Sequence, residues 1–270
     1  MHFICPNCKE KLHIVENRAV CSGGHSFDRA RGGYFNLLLS KAGGTHGDNR
    51  EMVLARRAFL AEGYYLPLAT KLAEDLLQYT PDGAAVLDAG AGEGYYTDII
   101  ERALYERDGV SDVSAFDISK DAVKEIHKKN PRISTAVAGS YHMPVADCEF
   151  DAVINTFSPL ALSETLRVIK PGGVFIMAIP GEMHLFDLKS VIYDTPYKNT
   201  VEDTHLSGFE LIEDSSITYK MQLDTPEKIN NLFMMTPYAY RTRQSDKERV
   251  KALKNLECTA DFRTFVYKKL

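Results

Sequence analysis

The sequence predicts an α/β protein built on a parallel sheet, preceded by a short cysteine-rich module. Apolar strands alternate with amphipathic helices from residue 84 to residue 180, the pattern of strand–helix–strand units that form parallel sheets. Three of the five cysteines lie within the first 21 residues, ahead of that pattern. Hydrophobic residues make up 44% and charged residues 26% of the 270 positions, which is typical of a protein with a buried core. No run of about 18 apolar residues is present to span a bilayer.

The N-terminal cysteines follow a metal-ligand spacing. Four ligands come in two close pairs, C-x2-C and C-x3-H, formed by Cys5, Cys8, Cys21 and His25. Two such pairs close the tetrahedron that zinc prefers and leave no position for water, so the zinc is expected to be structural. His2 and His13 are alternative fourth ligands, and the competing interpretation is a set of buried thiols beside a surface histidine. The sequence therefore predicts a zinc module over residues 1–35.

The remainder of the chain divides into a connecting region and a sheet domain. Residues 36–80 are predicted to hold a polar, glycine-rich linker at residues 40–50 and helices across residues 51–79. The sheet domain is predicted over residues 81–270. Its strands are expected at residues 84–90, 113–119, 132–139, 150–159 and 171–180, with helices at residues 95–106, 121–130 and 163–170. The last third is expected to contain two long strands, at residues 210–223 and 256–270. Two helices are expected between them, at residues 226–235 and 245–256.

The first predicted strand runs into a glycine turn from Asp88 to Tyr95. Its glycines follow the register G-x-G-x-G, whereas a dinucleotide-binding turn has G-x-G-x-x-G with a pyrophosphate over the helix N-terminus. Asp88 precedes the first glycine by two residues, so the turn suits a ligand that lacks phosphates and has a cationic end. Asp117 ends the next strand, where an acidic side chain can bridge two ribose hydroxyls. These features predict S-adenosylmethionine, and the competing interpretation is a nicotinamide enzyme or a non-catalytic domain.

Two later segments extend this pattern. The strand at residues 150–159 and the turn Lys170-Pro171-Gly172-Gly173 before another strand, taken with the glycine turn, closely resemble the Rossmann-like class I methyltransferase fold.

The whole chain resembles the bacterial 23S ribosomal RNA guanine-N1 methyltransferases, which have a small zinc domain before an S-adenosylmethionine domain. The motifs that carry this resemblance are the four zinc ligands, Phe27-Asp28, Gly33-Tyr34-x-Asn36-Leu37-Leu38, Ala55-Arg56-Arg57-Ala58-Phe59-Leu60, Gly63-x-Tyr65-x-Pro67-Leu68, Gly92-Glu93-Gly94-Tyr95-Tyr96-Thr97, Pro180-Gly181-x-x-His184-Leu185 and Met235-Thr236-Pro237. The resemblance implies cofactor contacts from Tyr65, the Gly92–Tyr95 turn and His184, and pairing as a homodimer. The chain departs from some relatives at Ala91 and at the strand end Asn155-Thr156-Phe157.

The combined set of expected cofactor-binding residues is Tyr65, Asp88, Gly90, Gly92, Glu93, Gly94, Tyr95, Asp117 and His184. Taken alone, Tyr65 could be a core residue and His184 a helix cap or a surface residue. The end of the strand at residues 150–159 is where a class I methyltransferase presents groups to the acceptor. Asn155 is therefore a candidate to hydrogen-bond a guanine edge and Phe157 to stack on it, although both can be structural. No general base is identified.

The net charge of −5 is an average over unlike segments. Residues 1–60 carry +4, residues 61–218 carry −14 and residues 219–270 carry +5. The acidic excess thus belongs to the cofactor segment, and the basic flanks are consistent with phosphate contacts to RNA. Two basic stretches, residues 50–57 and 245–254, are either RNA contacts or solvated helix faces.

The sequence thus predicts a cytoplasmic S-adenosylmethionine-dependent enzyme with no membrane association, and the resemblance implies that it methylates N1 of a guanine in a hairpin loop of 23S rRNA. The N-terminus lacks the apolar segment of a signal peptide. The alternatives are a small-molecule methyltransferase, which would not need a zinc module, and a non-catalytic zinc-ribbon RNA-binding protein.

Overall fold

The computed structural model describes residues 1–38, 47–201 and 204–270. In these ranges the strands are β1 (His13–Val15), β2 (Arg18–Val20), β3 (Ser26–Asp28), β4 (Phe35–Asn36), β5 (Ala85–Ala89), β6 (Asp112–Asp117), β7 (Ser134–Val137), β8 (Phe150–Thr156), β9 (Ile169–Pro180), β10 (Phe209–Leu223) and β11 (Leu256–Lys269). The helices are α1 (Arg50–Ala61), α2 (Leu66–Tyr79), α3 (Tyr95–Asp108), α4 (Lys120–Lys129), α5 (Leu162–Val168), α6 (Phe186–Ile192), α7 (Pro226–Met234), α8 (Tyr238–Arg241) and α9 (Gln244–Lys251), with a 3₁₀ turn at Ser140–His142.

Local sequence explains where several helices begin and end. The side chains of Asn49 and Ser119 accept hydrogen bonds from backbone N–H groups in the first turns of α1 and α4. Thr225 caps α7 in the same way, immediately before a proline at the first helical position. Gly109 ends α3 in a left-handed conformation, which a residue without Cβ adopts at low cost. These residues therefore mark the ends of the helices.

Eight strands form one sheet in the order β10-β11-β9-β8-β5-β6-β7-β4. The six strands from β9 to β4 are parallel, and β11 and β10 are antiparallel to their neighbours. The predicted parallel sheet is therefore confirmed, with the two long C-terminal strands added at one edge. The carboxyl ends of β5, β6, β8 and β9 lie side by side, which makes that edge the expected position of a ligand site. No helix in the described ranges is long and apolar enough to cross a membrane.

The N-terminal module packs onto one face of this sheet. Its strands β1, β2 and β3 form a small antiparallel sheet of their own. Phe3, Leu12 and Ala19 are buried in the same apolar cluster as Phe116 and Phe150 of the large sheet. Strand β4 follows the module directly and pairs in parallel with β7. The module therefore shares a hydrophobic core with the sheet domain and does not pack as an independent domain.

The structure differs from the sequence-based predictions at a few elements. Residues 40–46 of the expected linker lie outside the described residues. Helix α1 begins at Arg50, the last residue of that expected linker. Helices α6 and α8 and strand β4 were not predicted, because each is too short to show a clear periodicity. Helix α9 ends at Lys251 instead of residue 256, since Leu256 pairs with Leu223 in the β10–β11 ladder.

Candidate functional site

The four predicted zinc ligands converge on one point. The ligand atoms of Cys5, Cys8, Cys21 and His25 all lie within 4.8 Å of one another. The Sγ atoms of Cys8 and Cys21 are 3.5 Å apart, and the Sγ of Cys21 is 3.5 Å from Nδ1 of His25. Tetrahedral zinc at ~2.3 Å from each sulfur places two sulfurs roughly 3.8 Å apart, so the donor set fits the ion. A Cβ on Gly23 would approach the Sγ of Cys8 to 3.2 Å, so the residue there must be small.

The alternative histidine ligands lie elsewhere. His2 bridges two carboxylates of the sheet domain, with Nδ1 at 2.7 Å from Glu149 and Nε2 at 3.1 Å from Asp112. These contacts raise the pKa of His2, chiefly through the hydrogen bond with Asp112, against the effect of burial. His13 is exposed on β1. The structure therefore favours His25 as the fourth ligand.

A cavity of about 800 Å³ opens at the carboxyl ends of the central parallel strands. Eight of the nine residues expected to bind the cofactor line it: Tyr65, Asp88, Gly90, Gly92, Glu93, Tyr95, Asp117 and His184. The ninth, Gly94, lies at the start of α3 with φ +78°, and its Cβ position is 3.0 Å from the side chain of Ile126. Gly94 thus lies against Ile126, on the side of the turn that does not line the cavity.

The glycine turn leaves no space for a side chain at Gly90. Gly90 has φ +92°, and a Cβ there would lie 2.1 Å from the Oγ of Ser158. The backbone N–H of Gly92 donates to Oδ2 of Asp117 at 3.0 Å, and the N–H of Ser119 donates to Oδ1 at 2.7 Å. Asp117 is thereby held at the cavity wall at the end of β6, the position expected of an acid that binds ribose hydroxyls.

Two buried carboxyl groups of the cavity lining carry an oxygen atom that lacks a hydrogen-bond partner among the described residues. These atoms are Oδ1 of Asp88 and Oε1 of Glu93. The other oxygen of Asp88 accepts from the hydroxyl of Thr97 at 2.6 Å. Burial raises the pKa of Asp88 to about 7, and it also raises the pKa of Glu93. An unpartnered buried carboxylate is unfavourable, so both groups favour a cationic ligand in the cavity.

A histidine–tyrosine pair forms the opposite wall of the cavity. Nε2 of His184 is 3.2 Å from the hydroxyl of Tyr65, and Nδ1 accepts the backbone N–H of Asp261 at 3.3 Å. Burial lowers the pKa of His184 to about 3, so the ring is neutral. Because Nδ1 must accept, the proton is assigned to Nε2, which donates to the oxygen of Tyr65. The tyrosine hydroxyl hydrogen is then free to donate to a ligand.

The turn that carries His184 is held by strand β11. The carboxylate of Asp261 accepts the backbone N–H of Met183 at 2.9 Å, and a Cβ on Gly181 would lie 2.4 Å from that carboxylate. Leu185, at φ +56°, donates its N–H to the carbonyl oxygen of Thr259 at 2.9 Å. The Pro-Gly motif of the sequence is therefore needed for the close approach of this turn to β11.

The two catalytic candidates behave differently. Phe157 lines the cavity, is 40% exposed and has φ +56°, an uncommon conformation for a bulky residue. Its ring stacks against that of His184, with centroids 6.2 Å apart and an interplanar angle of 21°. Asn155 is only 4% exposed and is not among the lining residues; its Nδ2 donates to the carbonyl oxygen of Pro159 at 3.4 Å. The structure thus brings Phe157 to the cavity and places Asn155 beneath the turn.

Sequence reasoning missed Arg56, Asp48 and the segment Tyr238–Arg241, all of which contribute to the lining. Arg56 was assigned to a solvated or RNA-binding face of α1. A signal was present, because Arg56 lies four residues from both Met52 and Leu60 and so shares their side of the helix. The other residues gave no signal, since only tertiary packing brings them to the cavity.

The electrostatics of the cavity discriminate between cofactors. Four carboxyl groups line it, from Asp48, Asp88, Glu93 and Asp117. A pyrophosphate would be repelled by this set, whereas the sulfonium and ammonium of S-adenosylmethionine would be attracted. The residues present therefore fit S-adenosylmethionine and disfavour a nicotinamide dinucleotide.

Comparisons with known proteins match both the N-terminal module and the sheet domain. Residues 3–41 match the family model described as RlmA, N-terminal, a zinc ribbon, and residues 86–173 match that of a methyltransferase domain. A Micromonospora griseorubida protein named as a candidate 23S rRNA (guanine-N(1)-)-methyltransferase is 33% identical over 89% of this chain and 88% of its own length. The 23S rRNA (guanine(748)-N(1))-methyltransferase of Streptomyces fradiae is 33% identical over 68% of this chain and 65% of its own length.

Among solved structures, one similar chain comes from the complex between the Haloferax volcanii Trm112 methyltransferase activator and a methyltransferase. It aligns with a TM-score of 0.50 and 20% identity, over 83% of this chain and 99% of that chain. This likeness supports the class I methyltransferase fold.

Proposed function

The chain belongs to the family of 23S rRNA (guanine-N(1)-)-methyltransferases, and on that premise we propose that it transfers a methyl group from S-adenosylmethionine to N1 of a guanine in a hairpin loop of 23S rRNA. The observation that carries the proposal is the cavity at the carboxyl ends of the central strands. Its buried, unpartnered carboxyl oxygens suit a cationic cofactor, and an exposed aromatic side chain lies beside them.

When bound, S-adenosylmethionine supplies an activated methyl group, so the protein mainly has to align donor and acceptor. Asp117, at the cavity wall, is proposed to accept hydrogen bonds from the ribose hydroxyls. Asp88 and Glu93 are proposed to neutralise the cationic end, and the hydroxyl of Tyr65 to donate a hydrogen bond from the opposite wall. The glycine turn allows the backbone to approach the cofactor closely, because Gly90 and Gly92 present no Cβ.

The acceptor is proposed to enter beside Phe157. N1 lies on the Watson–Crick edge of guanine, so the base must be unpaired before it can react. An exposed ring at the mouth of the cavity can stack on such a base and hold it against the methyl donor. Asn155 is proposed to support this step indirectly, by bracing the turn that positions Phe157.

The rest of the molecule supplies contacts to RNA in this proposal. The positive segment charges are +4 for residues 1–60, which include the zinc module, and +5 for the C-terminal region, residues 219–270. Both are proposed to contact phosphates, which is a sequence-independent contribution that weakens with salt. A cytoplasmic location and a homodimer, as the resemblance implies, complete the proposal. Light scattering of the purified protein tests the dimer.

Methylation of naked 23S rRNA is the direct test. The purified protein with S-adenosylmethionine is expected to add one methyl group to a single guanine in an unmodified 23S rRNA transcript. Mass mapping of ribonuclease fragments locates the nucleotide, and a primer-extension stop shows that the methyl group is on the Watson–Crick edge. Rapid methylation of small guanine-containing compounds without reaction on RNA would instead indicate a small-molecule methyltransferase. Binding of RNA with no turnover would indicate a non-catalytic protein.

Phe157→Ala is expected to impair use of the RNA more than binding of the cofactor. Loss of base stacking is worth ~1–3 kcal/mol, so kcat/KM for RNA should fall roughly 5- to 150-fold. Phe157→Tyr retains a ring and should keep most activity. Tyr141→Ala is the matched control, because Tyr141 is a 66% exposed aromatic residue that does not line the cavity. An unchanged kcat/KM in Phe157→Ala would remove Phe157 from the acceptor site.

A further inference from the structure

Arg56 places a positive charge next to the glycine turn. It lies on α1, lines the cavity and keeps 25% of its side-chain exposure. Its Nη1 atom lies 3.7 Å from the position that a Cβ on Gly92 would occupy. The guanidinium therefore lies beside the glycine turn that is proposed to approach the cofactor.

Contacts from two directions hold the guanidinium in this position. Nη1 donates to the carboxylate of Asp48, and Nη2 donates to the carbonyl oxygen of Met235 at 3.2 Å. A guanidinium carries five N–H donors in a rigid fork, so these two contacts orient the group and still permit a further acceptor. Arg56 is thus pre-organised before any ligand arrives.

The surroundings keep this group charged. Burial acts to lower the pKa of Arg56, but the nearby carboxylates of Asp48, Glu93 and Asp117 raise it overall. The acidic residues also define what Arg56 can bind. A cationic group of a ligand is better placed against Asp88 or Glu93, whereas an anionic group needs the guanidinium.

S-adenosylmethionine has one anionic group, the carboxylate of its amino-acid end. Arg56 and Arg241 are the cationic residues among the described residues that line the cavity, and Arg241 is exposed. Of these two, Arg56 lies at the glycine turn, beside the carboxyl groups that suit the ammonium and the sulfonium. We propose that Arg56 binds the α-carboxylate of the cofactor, an inference that rests on the proposed function.

The test compares two ligands that differ only in this carboxylate. S-adenosylhomocysteine and its decarboxylated analogue share the adenosine, the thioether and the amino group. Isothermal titration calorimetry on the full-length protein is expected to show roughly 10- to 100-fold tighter binding of S-adenosylhomocysteine, the effect of one charge-assisted hydrogen-bonded pair. In Arg56→Met the two affinities should become nearly equal, and Arg56→Lys should retain part of the difference.

The matched control is Arg57→Met. Arg57 lies on the same helix but pairs with Glu125 at 2.8 Å and does not line the cavity, so this variant should discriminate between the ligands as the wild type does. Wild-type protein that binds both ligands equally would overturn the inference, whether or not the variants fold. So would Arg56→Met that keeps the wild-type ratio. Failure of the wild type to bind either ligand would instead remove the proposed function itself.

Discussion

Replacing Cys5 by serine is expected to release the zinc and to lower the thermal stability of the entire protein. The Sγ of Cys5 is one of four ligand atoms in a single cluster. Serine is close to cysteine in size but offers no thiolate to the metal. Structural zinc contributes ~10–16 kcal/mol to the folding of small zinc peptides, so its loss is a large perturbation. Zinc content, measured by mass spectrometry of the metal, should fall well below one ion per chain.

The effect should extend beyond the module because its core is continuous with that of the sheet. Cys5 and Cys21 are buried in the same apolar cluster as Phe116, Phe150 and Phe265. Loss of at least about 3 kcal/mol, the scale of a disrupted buried site, should lower Tm on the order of 5–10 °C. Binding of RNA should weaken more than binding of S-adenosylhomocysteine, since the zinc ligands do not line the cavity.

Cys148→Ser is the control for this change. Cys148 is exposed and is not part of the ligand cluster, so its replacement should leave zinc content and Tm unchanged. Full zinc occupancy in Cys5→Ser would contradict the ligand assignment. A loss of zinc with no change in Tm would contradict the shared core.

Asp88→Asn is expected to weaken cofactor binding and to remove its dependence on pH. Asparagine preserves the shape and can still accept from Thr97, but it carries no charge. Burial raises the pKa of Asp88 to about 7; the hydrogen bond from Thr97 lowers it, and the charges of Asp117 and Glu93 raise it further. A cationic ligand favours the ionised form, so wild-type affinity for S-adenosylmethionine should rise about tenfold between pH ~6 and ~8, as the ionised fraction increases. Calorimetry at both pH values measures this change.

At pH ~8 the variant should bind S-adenosylmethionine roughly 10- to 100-fold more weakly than the wild type, because it lacks the buried opposite charge. The affinity of the variant should lack the roughly tenfold rise between pH ~6 and ~8 that is expected for the wild type. Any effect from titration of the cofactor's own amino group is common to both proteins and cancels when they are compared. Asp121→Asn, a change at an acid outside the cavity, should follow the wild type. Parallel profiles for Asp88→Asn and wild type would rule out Asp88 as the titrating group.

The same pKa shift predicts an opposite trend in the stability of the ligand-free protein. A carboxyl group whose folded-state pKa is raised contributes stability that is present in full below its unfolded pKa. That contribution is lost as the pH rises through the folded value of about 7. The free energy of unfolding of Asp88→Asn, relative to that of the wild type, should therefore increase as the pH rises from 5 to 8. The increase should be on the order of several kcal/mol at most. This gain separates a binding defect from misfolding.

Much of the fold was predictable from local patterns. The strand–helix alternation identified the parallel sheet, because hydrophobic periodicity reports which faces are buried. It did not identify β4, a strand of two residues that pairs in parallel with β7 and is too short to show a period. The sequence pattern also predicted too late an end for α9. Leu256 pairs with Leu223, which is more than thirty residues away in the chain, and this pairing competes with continuation of the helix.

The zinc ligands and the glycine turn could be identified from the chain alone, because each depends on residues a few positions apart whose chemistry and spacing are visible in one segment. Which charges meet in the cavity depended on tertiary packing. The fold turns Arg56 toward the glycine turn, places Asp48 beside it and holds Asn155 beneath the turn that exposes Phe157. Parallel strands bring their carboxyl ends to one edge of the sheet, and α1, packed against α4 and α7, brings Arg56 to the same edge, so residues far apart in the chain become neighbours there.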